Sequence, residues 1–482
     1  MDELTLYLKN NQLFQTRIHD EVRDSGLKPF PKRTMFSHLC KNADDFLKER
    51  IGPRLIALSG LRGVGKTTLM WQVSEYIFNS HTENCFFINA EEINRMGFNL
   101  YQTLQVFERE ILDKPFHEQK EPIVFLMDEV HDCENWDKDL KILYDKCKSA
   151  FILCTGSSAL LLHKSADLAT RWSLLPLFPL NFPEYLQIKN WLSHQNDESI
   201  DIEKTGTELR EALFFSENMI ILREKLEALK SNFQDYFVTT SRWFHPLDFN
   251  KLLADYISFY NIIRFLNIEN KEMILDRIIE LFERILLKDV PAFVSEKPDS
   301  QILFRLLLRL AVSDEVNFHS LARELRCKEA DIELFINTLN KAEVLNVFFP
   351  YGGIKSKTGS NRKPFFMSPS LRCALSSRIY GSKLEDALQS KLYEDIVAMY
   401  LRRTLDAGVL SFGHSQSKNQ DYVIETRDKP ILLEVGKGSK TTSQFHQSNI
   451  DFRYGIIVSA SASGVAFRED CVVLPLSWFL IL

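Results

Sequence analysis

The stretch ALSGLRGVGKTTLM, residues 57–70, decides how the first half of this chain is read. An apolar run ends in glycine, two more glycines follow, then Lys66, Thr67 and Thr68, and then apolar residues at helical spacing. Gly60, Gly63, Gly65, Lys66 and Thr67 satisfy G-x-x-x-x-G-K-[ST] between a strand-like and a helix-like segment, the context that the motif requires. Glycines let the backbone wrap a β-phosphate, and the N–H groups of Lys66, Thr67 and Thr68 open a helix whose N-terminus favours anions. Lys66 is expected to bridge β- and γ-phosphates, and the Thr67 hydroxyl to ligate Mg²⁺.

Working outward, RLIALSG, CFFINAE, IVFLMDEV and AFILCTGS are short apolar runs separated by helical periodicity, as in YQTLQVFEREIL and NWDKDLKILYDKC. Continuous apolar strands alternating with helices predict a parallel sheet covered on both faces. The run IVFLMDEVH ends in two acids. Asp128 is expected to sit in the Mg²⁺ shell, and Glu129 to orient and activate water. A second acid at this place favours hydrolysis of ATP over a phosphotransferase role. FILCTGSS is expected beside the acidic strand, with Thr155, Ser157 and Ser158 offering a hydroxyl near the γ-phosphate. Downstream, Arg171 is a candidate for stabilising transition-state charge, in its own site or a neighbour's.

The rest of the chain reads as ordinary globular protein. Of its 482 residues 45% are hydrophobic and 26% charged, too long for one core. Its net charge of −6 gives no global attraction to nucleic acid, so DNA contact would need a local patch. Eight cysteines without a C-x-x-C pair point away from structural zinc and disulfides. The start MDELTLYLKNNQ is not a signal peptide, and no apolar run reaches the roughly 20 residues of a membrane span, so a cytoplasmic protein without membrane contact is expected. Five segments follow from the patterning: an N-terminal helical segment (1–50), the nucleotide-binding core (51–190), a helical lid or connector (191–300), a winged helix-turn-helix (301–380) and a last α/β unit (381–482). Segment 301–380 carries about +5, with Lys355, Lys357, Arg362 and Lys363 assigned to the wing tip, although its candidate recognition helix is acidic at its start (Glu329, Asp331, Glu333).

GLRGVGKTTLM, FLMDEVHDCENWDKDLKILYD and ILCTGSSALLLHKSADLATRWSLLPLFPLNFPEYL together resemble the AAA-type P-loop ATPases of bacteria and archaea that end in a nuclease-like domain of unknown function, the domain-of-unknown-function 4143 type. ILLKDV, YEDIVAMYLRR and the terminal VVLPLSWFLIL are similar as well. Thr170 stands where members usually carry glycine, and TTSRWFHPL replaces a glycine-rich turn. The resemblance implies an α/β fold: a RecA/AAA-like parallel sheet, a helical region, a winged helix and a restriction-endonuclease-like α/β domain. It implies ATP and Mg²⁺ as ligands, with duplex DNA, a protein partner and a homo-oligomer as candidate associations.

In an endonuclease of the PD-(D/E)xK type, Glu394, Asp421 and Glu434 match the acids. The lysine two residues after Glu434 would share its face of the strand, but Gly436 stands there; Lys437 reaches that face only through a bulge. Cleavage is therefore not expected, and a degraded nuclease fold that holds DNA or a partner is. A non-hydrolysing nucleotide switch and an ATP-licensed nuclease in defence are the alternatives to an ATPase.

Overall fold

The computed structural model describes residues 2–156, 168, 170–193, 201–244, 248–292, 299–313, 316–359, 361–381, 386–413, 420–438, 440, 442–447 and 450–482. The chain divides into two compact units, Met1–Phe178 and Pro179–Leu482.

The N-terminal unit is built on five parallel strands: β1 (Leu55–Ser59), β2 (Cys85–Asn89), β3 (Ile123–Asp128), β4 (Ala150–Thr155) and β5 (Ser173–Pro176). Their order is β2-β3-β4-β1-β5. Every residue of β1, β3 and β4 is buried, as continuous apolar runs demand when helices cover both faces. The register aligns Leu58 with Thr155, and Met127 with Cys154. The loop after β1, the acids ending β3 and the end of β4 therefore share the carboxyl edge, where open α/β sheets bind ligands. Because β4 lies between β1 and β3, the phosphate-loop strand and the acidic strand are two spacings apart, about 9–10 Å.

The first fifty residues belong to this unit rather than standing apart. Helix Asp2–Asn10 contributes Leu4 and Leu8 to the core. The following segment pairs with β2: Leu13 N–H donates to Cys85 O, and Phe87 N–H to Asn11 O, each at 2.9 Å. That covers an otherwise open sheet edge.

The C-terminal unit carries a nine-stranded sheet: β6 (Val316–Asn317), β7 (Leu345–Pro350), β8 (Asn361–Phe366), β9 (Leu410–Phe412), β10 (Tyr422–Ile424), β11 (Ile431–Gly436), β12 (Gly455–Ser459), β13 (Ala466–Phe467) and β14 (Cys471–Pro475). The order is β13-β14-β12-β11-β10-β9-β7-β8-β6. Strands β11, β12 and β14 run parallel, whereas β10 is antiparallel to both β9 and β11. The hairpin assigned to a wing, β7–β8, is continuous with the last unit's sheet: β7 pairs in parallel with β9 through Phe349 and Pro350.

Its core is fixed by a buried ion pair. Arg372, from helix Pro369–Tyr380, meets Asp395, from helix Asp386–Thr404, at 2.5 and 2.8 Å. Arg372 also donates to the carbonyls of Leu310 and Ala311, and Asp395 accepts from Phe366 N–H, so both charges are fully hydrogen-bonded.

Candidate nucleotide site and an acid–lysine cluster

Beyond β1 the backbone turns through three glycines with positive φ: Gly60 at 152°, Gly63 at 86° and Gly65 at 96°. A Cβ at Gly60 would lie 2.5 Å from the Leu177 carbonyl oxygen, so the loop both turns left-handed and passes too close to β5 for a side chain. Helix Lys66–Ser80 starts immediately afterwards, its first N–H groups opening onto the loop. The Lys66 ammonium folds back onto the Gly60 carbonyl (2.8 Å) and the Leu61 carbonyl (3.4 Å), inside the curve where a phosphate would sit.

Two parts of the loop's support were not legible in the sequence. Arg33, buried, donates to the Val64 carbonyl (2.8 Å) and the Phe178 carbonyl (3.0 Å), clamping the loop from beneath. Gln72 donates to Phe30 and Pro31, tying the same N-terminal segment to the helix after the loop. No motif marks either residue.

The Thr67 hydroxyl lies 3.1 and 3.2 Å from the two Asp128 carboxylate oxygens. Hydroxyl and carboxylate are hard oxygen donors, and no group of three or more His, Cys, Asp or Glu that could hold a metal occurs among the described residues. Two protein oxygens with water and phosphate as the remaining ligands suit Mg²⁺, which keeps much of its hydration. Burial pushes the Asp128 carboxyl up, and the neighbouring Glu129 charge adds to this; hydrogen bonds from Thr155 and Thr67, and the Lys66 charge, oppose it.

Thr155 packs against the two acids. Its buried hydroxyl donates to Asp128 and accepts from Glu129 N–H at 3.0 Å, fixing the two acids relative to each other. Glu129 itself is left-handed, at φ 51°. Its carboxylate lies 3.7 Å from Arg62 Nη1 of the phosphate loop and 3.3 Å from His131 Nδ1. Thr68 is half-buried on the first helical turn. Ser157 and Ser158 lie outside the described residues. Arg171 is in a forked ion pair with Asp145, at 3.1 and 3.3 Å.

A second constellation lies wholly within the C-terminal unit. Asp421, Glu434 and Glu394 come together there, and two lysines, Lys440 and Lys363, meet them. Lys440 Nζ lies 2.5 Å from Glu434 and 3.2 Å from Asp421. Lys363, from β8, lies 3.1 Å from Glu394 and 3.2 Å from Asp421. Gly436 is what admits Lys440: a Cβ there would lie 2.9 Å from Lys440 Cγ. Strand β11 stays regular through Gly436, paired residue for residue with β12, so no bulge turns Lys437 inward, and Lys437 is exposed. Burial would raise the Asp421 carboxyl, but the charges of Lys363 and Lys440 override it and hold it below the usual range. Glu434 is pushed up to about 7 by burial and the Asp421 charge.

The wing residues are largely spent internally. Lys363 is buried in that cluster, and Lys357 pairs with Glu425 at 2.9 Å. Arg362 lies over the rings of Phe349 and Phe318 and donates to backbone carbonyls. Of the four, Lys355 is the exposed one. Formal charge counted along a sequence does not distinguish a solvated lysine from one neutralised by carboxylates on other strands.

Residues 52–186 match the family model described as an AAA domain. With the loop geometry, this match supports an AAA-type ATPase domain whose general property is nucleotide-dependent activity. The chain is 28% identical over 456 residues to an uncharacterised protein of Methanocaldococcus jannaschii, covering 91% of this chain and 88% of the relative. An uncharacterised protein of Haemophilus influenzae is 32% identical over 139 residues, 28% of this chain and 33% of that protein. Among solved structures, the Aeropyrum pernix Orc1 protein in complex with DNA is similar with a TM-score of 0.33 and 12% identity, over 73% of this chain and 94% of that one. The Thermotoga maritima RuvB Holliday junction branch migration motor is similar with a TM-score of 0.28 and 14% identity, over 66% and 89%. No helix among the described residues is long and apolar enough to cross a membrane.

Proposed function

We propose that this chain is a Mg²⁺-dependent ATPase whose nucleotide state acts on its C-terminal unit, and through it on DNA or a protein partner. The observation that carries the reading is the meeting of Thr67 with Asp128, beside a glycine loop whose carbonyls at Gly60 and Leu61 accept from the Lys66 ammonium. Lys66 leaves its carbonyl partners for the β- and γ-phosphate oxygens of ATP, exchanging neutral acceptors for charged ones. Thr67 and Asp128 would hold Mg²⁺, which when bound would neutralise phosphate charge. Glu129 orients the attacking water on the γ-phosphate side. Arg171 serves transition-state charge only if it leaves Asp145, for instance toward a neighbouring copy in a homo-oligomer. The test is nucleotide binding by purified protein with and without Mg²⁺, with Lys66→Ala as the comparison; duplex DNA is then added to turnover assays. Binding that is lost in Lys66→Ala supports the site. Binding without turnover would leave a nucleotide switch instead.

A second reading, an ATP-licensed nuclease, is favoured by Lys440. The sequence lacks a lysine in register with Glu434, but an ammonium reaches Glu434 and Asp421 through the space that Gly436 leaves open. In that reading Asp421 and Glu434 would hold a divalent cation and Lys440 would orient water. Water adds to phosphorus, the phosphodiester P–O bond breaks, and the departing oxygen takes the proton. Nicking of supercoiled plasmid with Mg²⁺ or Mn²⁺ is then expected, reduced on the order of 10²-fold in both Asp421→Ala and Lys440→Ala. The double change Gly436→Lys with Lys440→Ala returns the lysine to Glu434's face of the strand and is expected to restore most of the loss. No nicking by the wild type, or nicking indifferent to Lys440, would sink this reading.

A further inference from the structure

We propose that Arg62 is the positioning residue through which the site distinguishes a triphosphate from a diphosphate, by exchanging Glu129 for the γ-phosphate; this rests on the ATPase reading above. Arg62 lies in the phosphate loop itself, between Gly60 and Gly63, while Glu129 directly follows the carboxylate paired with Thr67. Thr67 and Asp128 would hold Mg²⁺ at the phosphates, and Glu129, the next residue, would stand on the γ-phosphate side of the site. The 3.7 Å contact between Arg62 Nη1 and Glu129 Oε1 places the guanidinium on that same side.

Without nucleotide, Glu129 is therefore engaged by neighbouring cationic groups. Arg62 holds one carboxylate oxygen, His131 Nδ1 approaches the other at 3.3 Å, and the backbone N–H is tied to Thr155. The Arg62 and Glu129 side chains are 13% and 22% exposed, so the pair is shielded enough for the contact to matter, yet open toward the loop. A γ-phosphate brings about two negative charges and three acceptor oxygens into reach of the same guanidinium, whose fork matches phosphate geometry. Arg62 then turns to the phosphate, and Glu129, still held by its backbone and by His131, is freed on its Arg62 side to accept from water. ADP offers nothing at that position and leaves the pair closed. The base is thereby freed when there is something to hydrolyse.

Affinities for ADP and for the non-hydrolysable triphosphate AMPPNP, measured by titration calorimetry with Mg²⁺, read this directly. Arg62→Ala is expected to weaken AMPPNP about tenfold while ADP stays within about twofold, and Arg62→Lys to recover part of the loss. Glu129→Gln, which removes the carboxylate charge facing Arg62, is expected to tighten AMPPNP but not ADP. That gain should vanish in the Arg62→Ala/Glu129→Gln double variant. Equal weakening of both nucleotides by Arg62→Ala, or no weakening of either, overturns the proposal. Because the readout is a ratio of affinities, a wild type that binds but does not turn over leaves this test intact while sinking the ATPase reading. A wild type that binds neither nucleotide overturns both.

Discussion

Glu129→Gln is expected to lower ATP turnover by about 10²–10⁴-fold while ATP binding is kept or tightened, the range that positioned acid–base groups supply. The substitution keeps shape but removes the charge that polarises water. It touches neither the Lys66 ammonium nor the Thr67–Asp128 pair that would hold phosphate and metal. Asp128→Asn should behave differently, losing Mg²⁺-dependent affinity as well as turnover. Nucleotide affinity with and without Mg²⁺, read beside phosphate release, separates the two variants. Turnover of Glu129→Gln within a few-fold of wild type would assign the water-orienting role to another residue and leave Glu129 as a partner of Arg62 alone.

The largest expected effect on stability lies far along the chain from that site. Arg372→Ala is expected to destabilise the C-terminal unit by about 3–5 kcal/mol, because it leaves the wholly buried Asp395 without its cation. It also strips the donor from the Leu310 and Ala311 carbonyls. Replacing both partners, Arg372→Met with Asp395→Leu, removes the uncompensated charge and should recover part of the loss. Recovery is incomplete because those two carbonyls and Phe366 N–H remain without the partners they had. Denaturant unfolding followed by intrinsic fluorescence measures all three. Equal costs for the single and double changes would mean that the orphaned backbone groups, not the buried charge, dominate.

How much was legible follows from how local each signal is. The glycine loop, Lys66, Thr67 and the acids after IVFLM are contiguous in sequence, and the strands that carry them are apolar runs ended by the functional residues. The adjacency of the acidic strand and FILCT was readable too, and β3 and β4 are neighbours. What escaped was long-range. Arg33 reaches Val64 and Phe178 across 31 and 145 residues, from the segment read only as N-terminal helix. Lys440 enters the acid cluster from beyond the strand, six residues after Glu434, where spacing rules look only two residues ahead. The basic wing failed as a charge argument for the same reason. Lys363 and Lys357 find carboxylates 58 and 68 residues away, Asp421 and Glu425. Those partners follow only from β7 pairing with β9, a junction that neither periodicity nor composition announces.

The most direct test of the account is steady-state phosphate release from ATP by the purified chain in Mg²⁺, beside Lys66→Ala prepared in the same way. The account predicts turnover that requires Mg²⁺ and disappears in the variant, whose ammonium no longer fills the loop. Turnover unchanged in Lys66→Ala would place the activity outside this loop. Absence of turnover in a wild type that binds ATP tightly would contradict hydrolysis and leave a chain that only reads the nucleotide.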